Sequence, residues 1–516
     1  MDRIVVLDFG SQTAQLIARR IREAGVYSEI IAGDTSASEI ARDGLVGLVF
    51  SGSPESVGRS GSPQPDRAVY DLGVPILGIC YGLQRMTHDL GGSVRVSETH
   101  EYGRSRVVFR EKHPLFDGVD DGFVSWMSHG DGVEKLALDC SVVAESEHGV
   151  PACVAFPAIR SVGIQFHPEV THCEFGQKIL ENFARKVCRA SADWTIDVVA
   201  EKSIESIKKT VGDEDVLLLI SGGVDSTVVA ALLLKALPSE RVHLMYVNTG
   251  MMRKNESDEV ASALKKLGAK NLHLIDAEER FLSALGGVDS PEEKRRIIGD
   301  MFISVQADSI RRTLPGEYFL AQGTLYTDMI ESGRGVGKNA HVIKSHHNVR
   351  SPLVEEKRAA GRVVEPLAEL YKDEVRKLGL ALGVDAAVVK RHPFPGPGLA
   401  VRILGDVTKE KCDILRDVDE IYVSELKKRG LYDDIWQAFS VLLPIRSVGV
   451  AGDARDYGYV VALRAVISTD GMTADVYPFP MNHLLEISSI ITNRVRLVGR
   501  VVYDVSSKPP STIEWE

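Results

Sequence analysis

One stretch restricts the folds open to this chain more than any other. Val216-Leu217-Leu218-Leu219-Ile220 is a continuous apolar run, Ser221-Gly222-Gly223 follows at once, and Val224-Asp225-Ser226-Thr227 opens a segment rich in Val, Ala and Leu. A second apolar run begins at Val242. A strand apolar on both faces belongs inside a parallel sheet, and parallel neighbours need a crossover helix between them. The reading is a βαβ unit, with its second strand over 242–247 and a glycine-rich first turn, in an α/β fold. In such a turn Ser221, Gly222, Gly223, Val224, Asp225, Ser226 and Thr227 bring amides and hydroxyls toward one point, with a helix N-terminus behind them. That arrangement suits a polyanion. The glycines let the backbone approach phosphates closely, and Asp225 is placed to bind Mg²⁺ or to order the loop. A plain glycine turn is the bland alternative, which the strand–turn–helix context argues against. No Gly-x-x-x-x-Gly-Lys-Ser/Thr occurs, and Gly333-Arg334-Gly335-Val336-Gly337-Lys338-Asn339 lacks its spacing, so γ-phosphoryl transfer on such a loop is disfavoured.

With 516 residues the chain has room for about three domains at roughly 100–200 residues each. The boundaries read as 1–190, 191–391 and 392–516. Arg189-Ala190-Ser191-Ala192-Asp193 marks the first, ahead of an amphipathic stretch over 198–211; His392-Pro393-Phe394-Pro395-Gly396-Pro397-Gly398 marks the second. The last region carries a helical pattern over 409–429 and strand patterns over 459–467 and 500–505, as in a small α+β domain. Lys+Arg number 61 against 72 Asp+Glu, a net −11, so a general nucleic-acid-binding surface is not expected. Six cysteines (Cys80, Cys140, Cys153, Cys173, Cys188, Cys412) show no C-x-x-C pair, which points to a reducing cytoplasm rather than a disulfide or zinc scaffold. The first residues contain an apolar run too short for a signal core, and no stretch approaches 18 apolar residues, so neither export nor a membrane span is expected.

In the first region, Gly78-Ile79-Cys80-Tyr81-Gly82-Leu83-Gln84 puts a cysteine directly after a buried-strand pattern with glycines on both sides. A cysteine at a helix N-terminus is favoured as thiolate, and the amide after it can bind an oxyanion. A buried structural cysteine is the alternative. Gly163-Ile164-Gln165-Phe166-His167-Pro168-Glu169 ends another strand pattern in a histidine with a carboxylate two residues on, a base and its orienter. Alone, that second segment also reads as a solvated loop.

Together the two segments resemble the class I glutamine amidotransferases, which pair a Gly-x-Cys-x-Gly elbow with a distant His-x-Glu. The resemblance implies a flavodoxin-like α/β domain, Cys80 as nucleophile on the glutamine amide, His167 as general acid/base and Glu169 as its orienter. It further implies that Gly52 of Ser51-Gly52-Ser53-Pro54 and Tyr81 supply oxyanion amides, and that Gln84, Ser128 and His129 hold glutamine, although Ser128-His129-Gly130-Asp131 alone reads as a surface turn. The 221–227 motif resembles the loop of the N-type ATP pyrophosphatases, which cleave ATP between the α and β phosphates in a parallel-sheet domain.

The order of the regions resembles the glutamine-hydrolysing GMP synthetases. Gln322-Gly323-Thr324, Lys344-Ser345-His346-His347-Asn348, Lys372-Asp373-Glu374-Val375-Arg376, the 392–398 segment and Ser506-Ser507-Lys508-Pro509-Pro510-Ser511-Thr512-Ile513-Glu514-Trp515-Glu516 carry that likeness. It implies XMP, ATP and glutamine as substrates, Mg²⁺ on the phosphates, and Lys344, His346 and His347 in a lid. It also implies Arg402, Lys508, Ile513 and Glu514 at XMP, and a homodimer built on the last domain. Three departures stand out: Asn248-Thr249-Gly250 where relatives have Asp-Asn-Gly, Arg350-Ser351-Pro352-Leu353 after Asn348, and Tyr477-Pro478-Phe479-Pro480. An NAD-forming amidase would share the loop but not this elbow or tail. Asparagine synthetase needs a cysteine where Asp2 stands, CTP synthetase needs a kinase-type ATP site, and a binding protein that lost activity finds encouragement only at Asn248.

Overall fold

The computed structural model describes residues 1–314, 316–331, 352–451, 454–468 and 473–516. Lys344, His346, His347, Arg350 and the 333–339 stretch lie outside the described residues. The chain divides into two compact units, the first made of Met1–Val199 with the helix Tyr326–Glu331, the second of Ala200–Leu325 and the described residues from Pro352 on.

The first unit is organised on nine strands: β1 (Arg3–Asp8), β2 (Tyr27–Ala32), β3 (Leu45–Phe50), β4 (Ile76–Ile79), β5 (Ser93–Phe109), β6 (Phe123–Lys135), β7 (Ser141–Ser146), β8 (Pro151–Phe156) and β9 (Ser161–Ile164). Their order is β2-β1-β3-β4-β9-β8-β7-β5-β6. The first five in that order are parallel, and the other four continue the sheet antiparallel. Strand alternation explains the uninterrupted apolar runs: Ile4 and Val6 enter one core, Val5 and Leu7 the other, and all four are fully buried. Helices α1 (Ala14–Glu23) and α2 (Tyr81–Asp89) belong to this unit. So does the helix Tyr326–Glu331: the Ile30 N–H donates to Tyr326 Oη at 2.7 Å, and the Arg22 guanidinium lies 5.2 Å from the Tyr326 ring centre.

The second unit has a fully parallel sheet of β10 (Asp215–Ile220), β11 (Val242–Asn248), β12 (Asn271–Asp276), β13 (Tyr318–Ala321) and β14 (Val363–Val364), ordered β12-β11-β10-β13-β14. The winding reverses at β10, which makes its carboxyl end a topological switch point. Helices α3 (Val224–Ala236), α4 (Pro291–Thr313) and α5 (Lys372–Ala381) accompany this sheet. A second sheet joins β15 (Gln437–Ala451), β16 (Ala454–Ile467) and β17 (Asp475–Val476) antiparallel, with β18 (Val498–Tyr503) parallel to β16. Helices α6 (Lys409–Lys428) and α7 (Met481–Arg494) pack on it. The position 391/392 is no break in packing: one core holds Val247, Phe281 and Ile298 together with Leu399, Leu415, Val461 and Ile491.

Candidate active sites

In the first unit, neighbouring parallel strands deliver the expected residues to one place. β4 lies between β3 and β9, so the chain after β4 (Cys80), after β3 (Ser51, Gly52) and shortly after β9 (His167) emerges on the same sheet edge. Cys80 caps the start of α2 with φ 52° and ψ −103°, a left-handed conformation that a non-glycine residue holds only under constraint. The flanking glycines are required for space: a Cβ on Gly78 would lie 2.6 Å from the Leu83 N, and one on Gly82 2.4 Å from the Phe50 carbonyl oxygen. Without side chains there, α2 presses against the sheet and the turn stays sharp.

The Cys80 thiol is buried and hydrogen-bonded to His167; Gln165 Nε2 approaches its sulfur at 3.6 Å, and the thiol donates toward the Ser128 carbonyl at 3.7 Å. His167 Nδ1 meets Glu169 Oε1 at 2.8 Å, and Thr13 Oγ1 donates to the same oxygen at 2.6 Å. Burial on its own would push His167 down. The Glu169 charge and the hydrogen bonds to Cys80 and Glu169 outweigh it and lift the imidazole well above its ordinary value. Because a carboxylate only accepts, Nδ1–H donates to Glu169.

A Cβ on Gly52 would sit 3.2 Å from His167 Cε1, which places the oxyanion-loop residue against the base. Ser51 anchors that loop: its hydroxyl accepts from the Phe9 N–H at 2.9 Å and donates to the Gly52 carbonyl at 2.9 Å. Asp8 accepts from the Gly10 and Ser11 amides; burial raises its carboxyl despite those bonds. Gln84 Nε2 donates to the Asp131 carbonyl at 2.9 Å, and the buried His129 meets the Asp131 carbonyl at 3.0 Å and Glu101 at 3.2 Å. The stretch Ser128 to Asp131, a surface turn on its own reading, lies inside β6, where backbone pairing with β5 fixes it. Sequence reasoning missed Thr13, Gln165 and Glu101. Only Gln165 carried a signal, being two residues from His167.

In the second unit the glycine loop occupies the switch point as expected. Gly222 has φ +78°, and Gly223 caps α3. Two hydroxyls are turned inward: Ser226 Oγ and Thr227 Oγ1 donate to the Gly223 carbonyl at 3.2 and 2.8 Å, so at this stage they brace the loop. Gly323, just after the adjacent β13, approaches Asp225, and Thr324 Oγ1 donates to Glu365 at 2.7 Å. Lys372, at the start of α5, reaches both Asp225 carboxylate oxygens at 2.6 and 2.7 Å. Among the described residues no group of three or more His, Cys, Asp or Glu side chains is arranged to hold a metal. Asp225 offers a single carboxylate there, and Lys372 engages it. At the end of β11, Asn248 Nδ2 donates to Asp276 Oδ1 at 3.2 Å, so a carboxylate from β12 stands beside the position that lacks one.

In the tail, the expected residues are engaged within the protein. Arg402 is fully buried, donates to Glu514 through Nε at 3.0 Å and Nη2 at 2.7 Å, and lies 4.2 Å from the Phe439 ring centre. Nε and Nη2 thus form a two-pronged grip on the Glu514 carboxylate, while Nη1 is buried with no hydrogen-bond partner. Ile513 is buried beside Phe439, Val441, Ala462 and Val466. Gln437 also donates to Glu514, at 2.7 Å. The Lys508 backbone pairs both ways with Ala474, at 3.0 and 2.8 Å.

Three family descriptions match along the chain: glutamine amidotransferase class-I over residues 5–187, NAD synthase over 198–293, and GMP synthase C terminal domain over 424–515. Full-length similarity decides the matter. A GMP synthase (glutamine-hydrolyzing) of Aquifex aeolicus is 51% identical over 513 residues, covering 99% of both chains, and one of Bdellovibrio bacteriovorus is 50% identical over 517 residues, covering 100% of both. The chain belongs to the glutamine-hydrolysing GMP synthase family. A further member from Oleidesulfovibrio alaskensis shares 49% over 518 residues, again with nearly complete coverage of both chains. Among the described residues, no helix is long and apolar enough to cross a membrane.

Proposed function

We propose that the chain aminates XMP to GMP, using ATP and ammonia taken from glutamine. The observation that carries this reading is 51% identity to a GMP synthase across essentially the whole chain. Cys80 Sγ, having passed its proton to His167, attacks the glutamine side-chain amide carbon while the Gly52 and Tyr81 N–H groups receive the oxyanion; each such donor is worth about 2.7–4 kcal/mol in the transition state. His167, protonated, gives its proton to the departing ammonia, then takes one from the water that hydrolyses the thioester to glutamate. Glu169, fixed by Thr13, keeps the imidazolium oriented. Gln84, Ser128 and His129 shape the pocket for the amino acid.

At the second site the C2 oxygen of XMP attacks the α-phosphorus of ATP. Pyrophosphate departs into the amides of the 221–227 loop, and ammonia then displaces AMP from C2 to give GMP. Mg²⁺, when bound, supplies charge neutralisation on the phosphates, with Asp225 as its protein carboxylate. Lys344, His346 and His347 belong to the lid over these phosphates; Lys508 takes the XMP phosphate, and Glu514 the sugar or base. The division into 1–190, 191–391 and 392–516 assigns glutaminase, adenylation, and XMP binding with dimerisation. Ile445, Val448, Val450 and Tyr457, large apolar side chains 51–80% exposed along β15 and β16, support a homodimer through that last region, to be checked by light scattering. Six free cysteines fit a reducing cytoplasm.

Incubation with XMP, ATP, Mg²⁺ and amide-¹⁵N glutamine, followed by mass spectrometry of the nucleotides, tests the whole reading. Labelled GMP with equimolar AMP is expected. Folded protein that yields neither would refute it.

A further inference from the structure

The ammonium of Lys294, on α4, is fully buried. Burying a lysine is costly unless every N–H finds an acceptor. Here all three do: Nζ donates to the Ala400 carbonyl at 3.2 Å, the Ile403 carbonyl at 2.7 Å and Glu516 Oε2 at 2.5 Å. The neighbouring Arg295 adds a bond from Nη2 to the Glu516 main-chain oxygen at 2.6 Å. Ala400 and Ile403 flank Arg402, whose guanidinium in turn grips Glu514. One side chain therefore joins three parts that are far apart in sequence: a helix of the parallel-sheet region, the turn that carries Arg402, and the last residues of the tail.

The remainder of the tail is tied by a second buried cation. Arg464 donates to Asp504 at 2.7 Å, to the Ser506 carbonyl at 2.9 Å, to the Thr512 carbonyl at 3.0 Å and to the Ile513 carbonyl at 2.8 Å. It closes the loop that bears Lys508 by holding both of its ends. A loop fixed only at Arg464 can still swing about that point. Lys508 is held in addition by its backbone pairing with Ala474, and Glu514 by Arg402 and Gln437; the Glu516 anchor fixes the chain just beyond Glu514 and so braces the direction in which that carboxylate is presented.

We infer that Lys294, assisted by Arg295, is a positioning residue for XMP, acting through Glu516 to hold the tail in its binding geometry. The inference rests on the proposed role of the tail at the nucleotide. Packing alone does not call for a lysine here, since an apolar side chain fills such a space without the desolvation cost; a buried ion pair is best understood as a device that selects one arrangement.

The test uses Glu516→Ala and Glu516→Gln in the full chain, assayed with ammonia in place of glutamine so that the glutaminase does not enter the readout. Expected are a KM for XMP raised about tenfold, equivalent to about 1.4 kcal/mol, a kcat at saturating XMP within twofold of wild type, and an unchanged KM for ATP. Lys294→Met should show the same selectivity if it folds, and the Glu516 variants decide the matter if it does not. An unchanged KM for XMP overturns the inference. So does a general loss, with kcat, both KM values and melting temperature all shifted, which would make the contact merely structural. A wild-type chain that forms no GMP removes the reading and the inference together, whereas active wild type with indifferent Glu516 variants removes the inference alone.

Discussion

Replacing Glu169 with glutamine separates the charge of the glutaminase triad from its shape. Glu169 Oε1 accepts from His167 Nδ1 at 2.8 Å and from Thr13 Oγ1 at 2.6 Å, whereas Oε2 is buried with no hydrogen-bond partner. A glutamine has the same outline and can keep both bonds through its oxygen. Its NH₂ group then takes the Oε2 position with no acceptor, at about 1–3 kcal/mol. The larger effect is on the imidazolium, which loses its buried counter-ion; removing one partner of such a pair costs about 3–5 kcal/mol. That cost falls on the protonated state from which the chemistry starts, so kcat/KM for glutamine should drop about 150- to 5,000-fold at 1.36 kcal/mol per decade. The pH dependence carries the sign. Glu169 raises His167 above its ordinary value, so the variant loses its imidazolium at lower pH and the alkaline limb of the glutaminase profile moves downward. Glutamate release across pH, with ammonia-driven GMP formation as control, measures both. An unmoved alkaline limb, or a loss below tenfold, refutes the electrostatic account.

Cys80→Ala should abolish glutamine-dependent GMP formation and leave the ammonia-driven rate within twofold, measured side by side on one preparation. Gly82→Ala drives a methyl to within 2.4 Å of the Phe50 carbonyl; overpacking of about 1–3 kcal/mol should appear as a lowered denaturation midpoint, with a disproportionate loss of glutaminase as Cys80 moves. His392 accepts the Ala438 N–H at Nδ1 and meets the Tyr432 carbonyl at Nε2, so it is held neutral, and burial pushes it from 6.5 to about 4. Its contribution is complete above pH 6.5 and is lost as pH falls toward 4. At 1.36 kcal/mol per unit that is up to about 3 kcal/mol, a slope that His392→Gln should flatten in urea melts run at successive pH values.

The parts of the structure legible in the sequence share a physical cause. β10, the Ser221 to Thr227 turn and α3 are contiguous, and hydrophobic period plus glycine placement fix them locally; the elbow at Cys80 is legible for the same reason. Pairing Cys80 with His167 needed a resemblance, because strand order brings them together and strand order is not written in either segment. Thr13 lies 156 positions from Glu169 and leaves no local trace. Ser128 to Asp131 carry turn-like residues, yet pairing with β5 overrides that preference. The bond from Arg402 to Glu514 spans 112 positions and leaves no local trace either.

The two sites use the carboxyl ends of parallel strands in different ways, and this sets what each tolerates. At the first, α2 must touch the sheet so closely that two Cα positions admit no side chain, because Cys80 has to be held at φ 52° against a conformational cost of about 1–3 kcal/mol. The strain is sustained by packing, so changes in the surrounding core should reach the chemistry through the angle of the elbow. At the second, the loop hydroxyls and Asp225 are each engaged by partners within the protein, Gly223 for the former and Lys372 for the latter. A polyanion would compete with the Gly223 carbonyl for the hydroxyls and with Asp225 for the Lys372 ammonium. The first site is thus held by packing, whereas at the second the Ser226 and Thr227 hydroxyls and the Lys372 ammonium, the groups suited to a polyanion, are each already engaged by an acceptor within the protein.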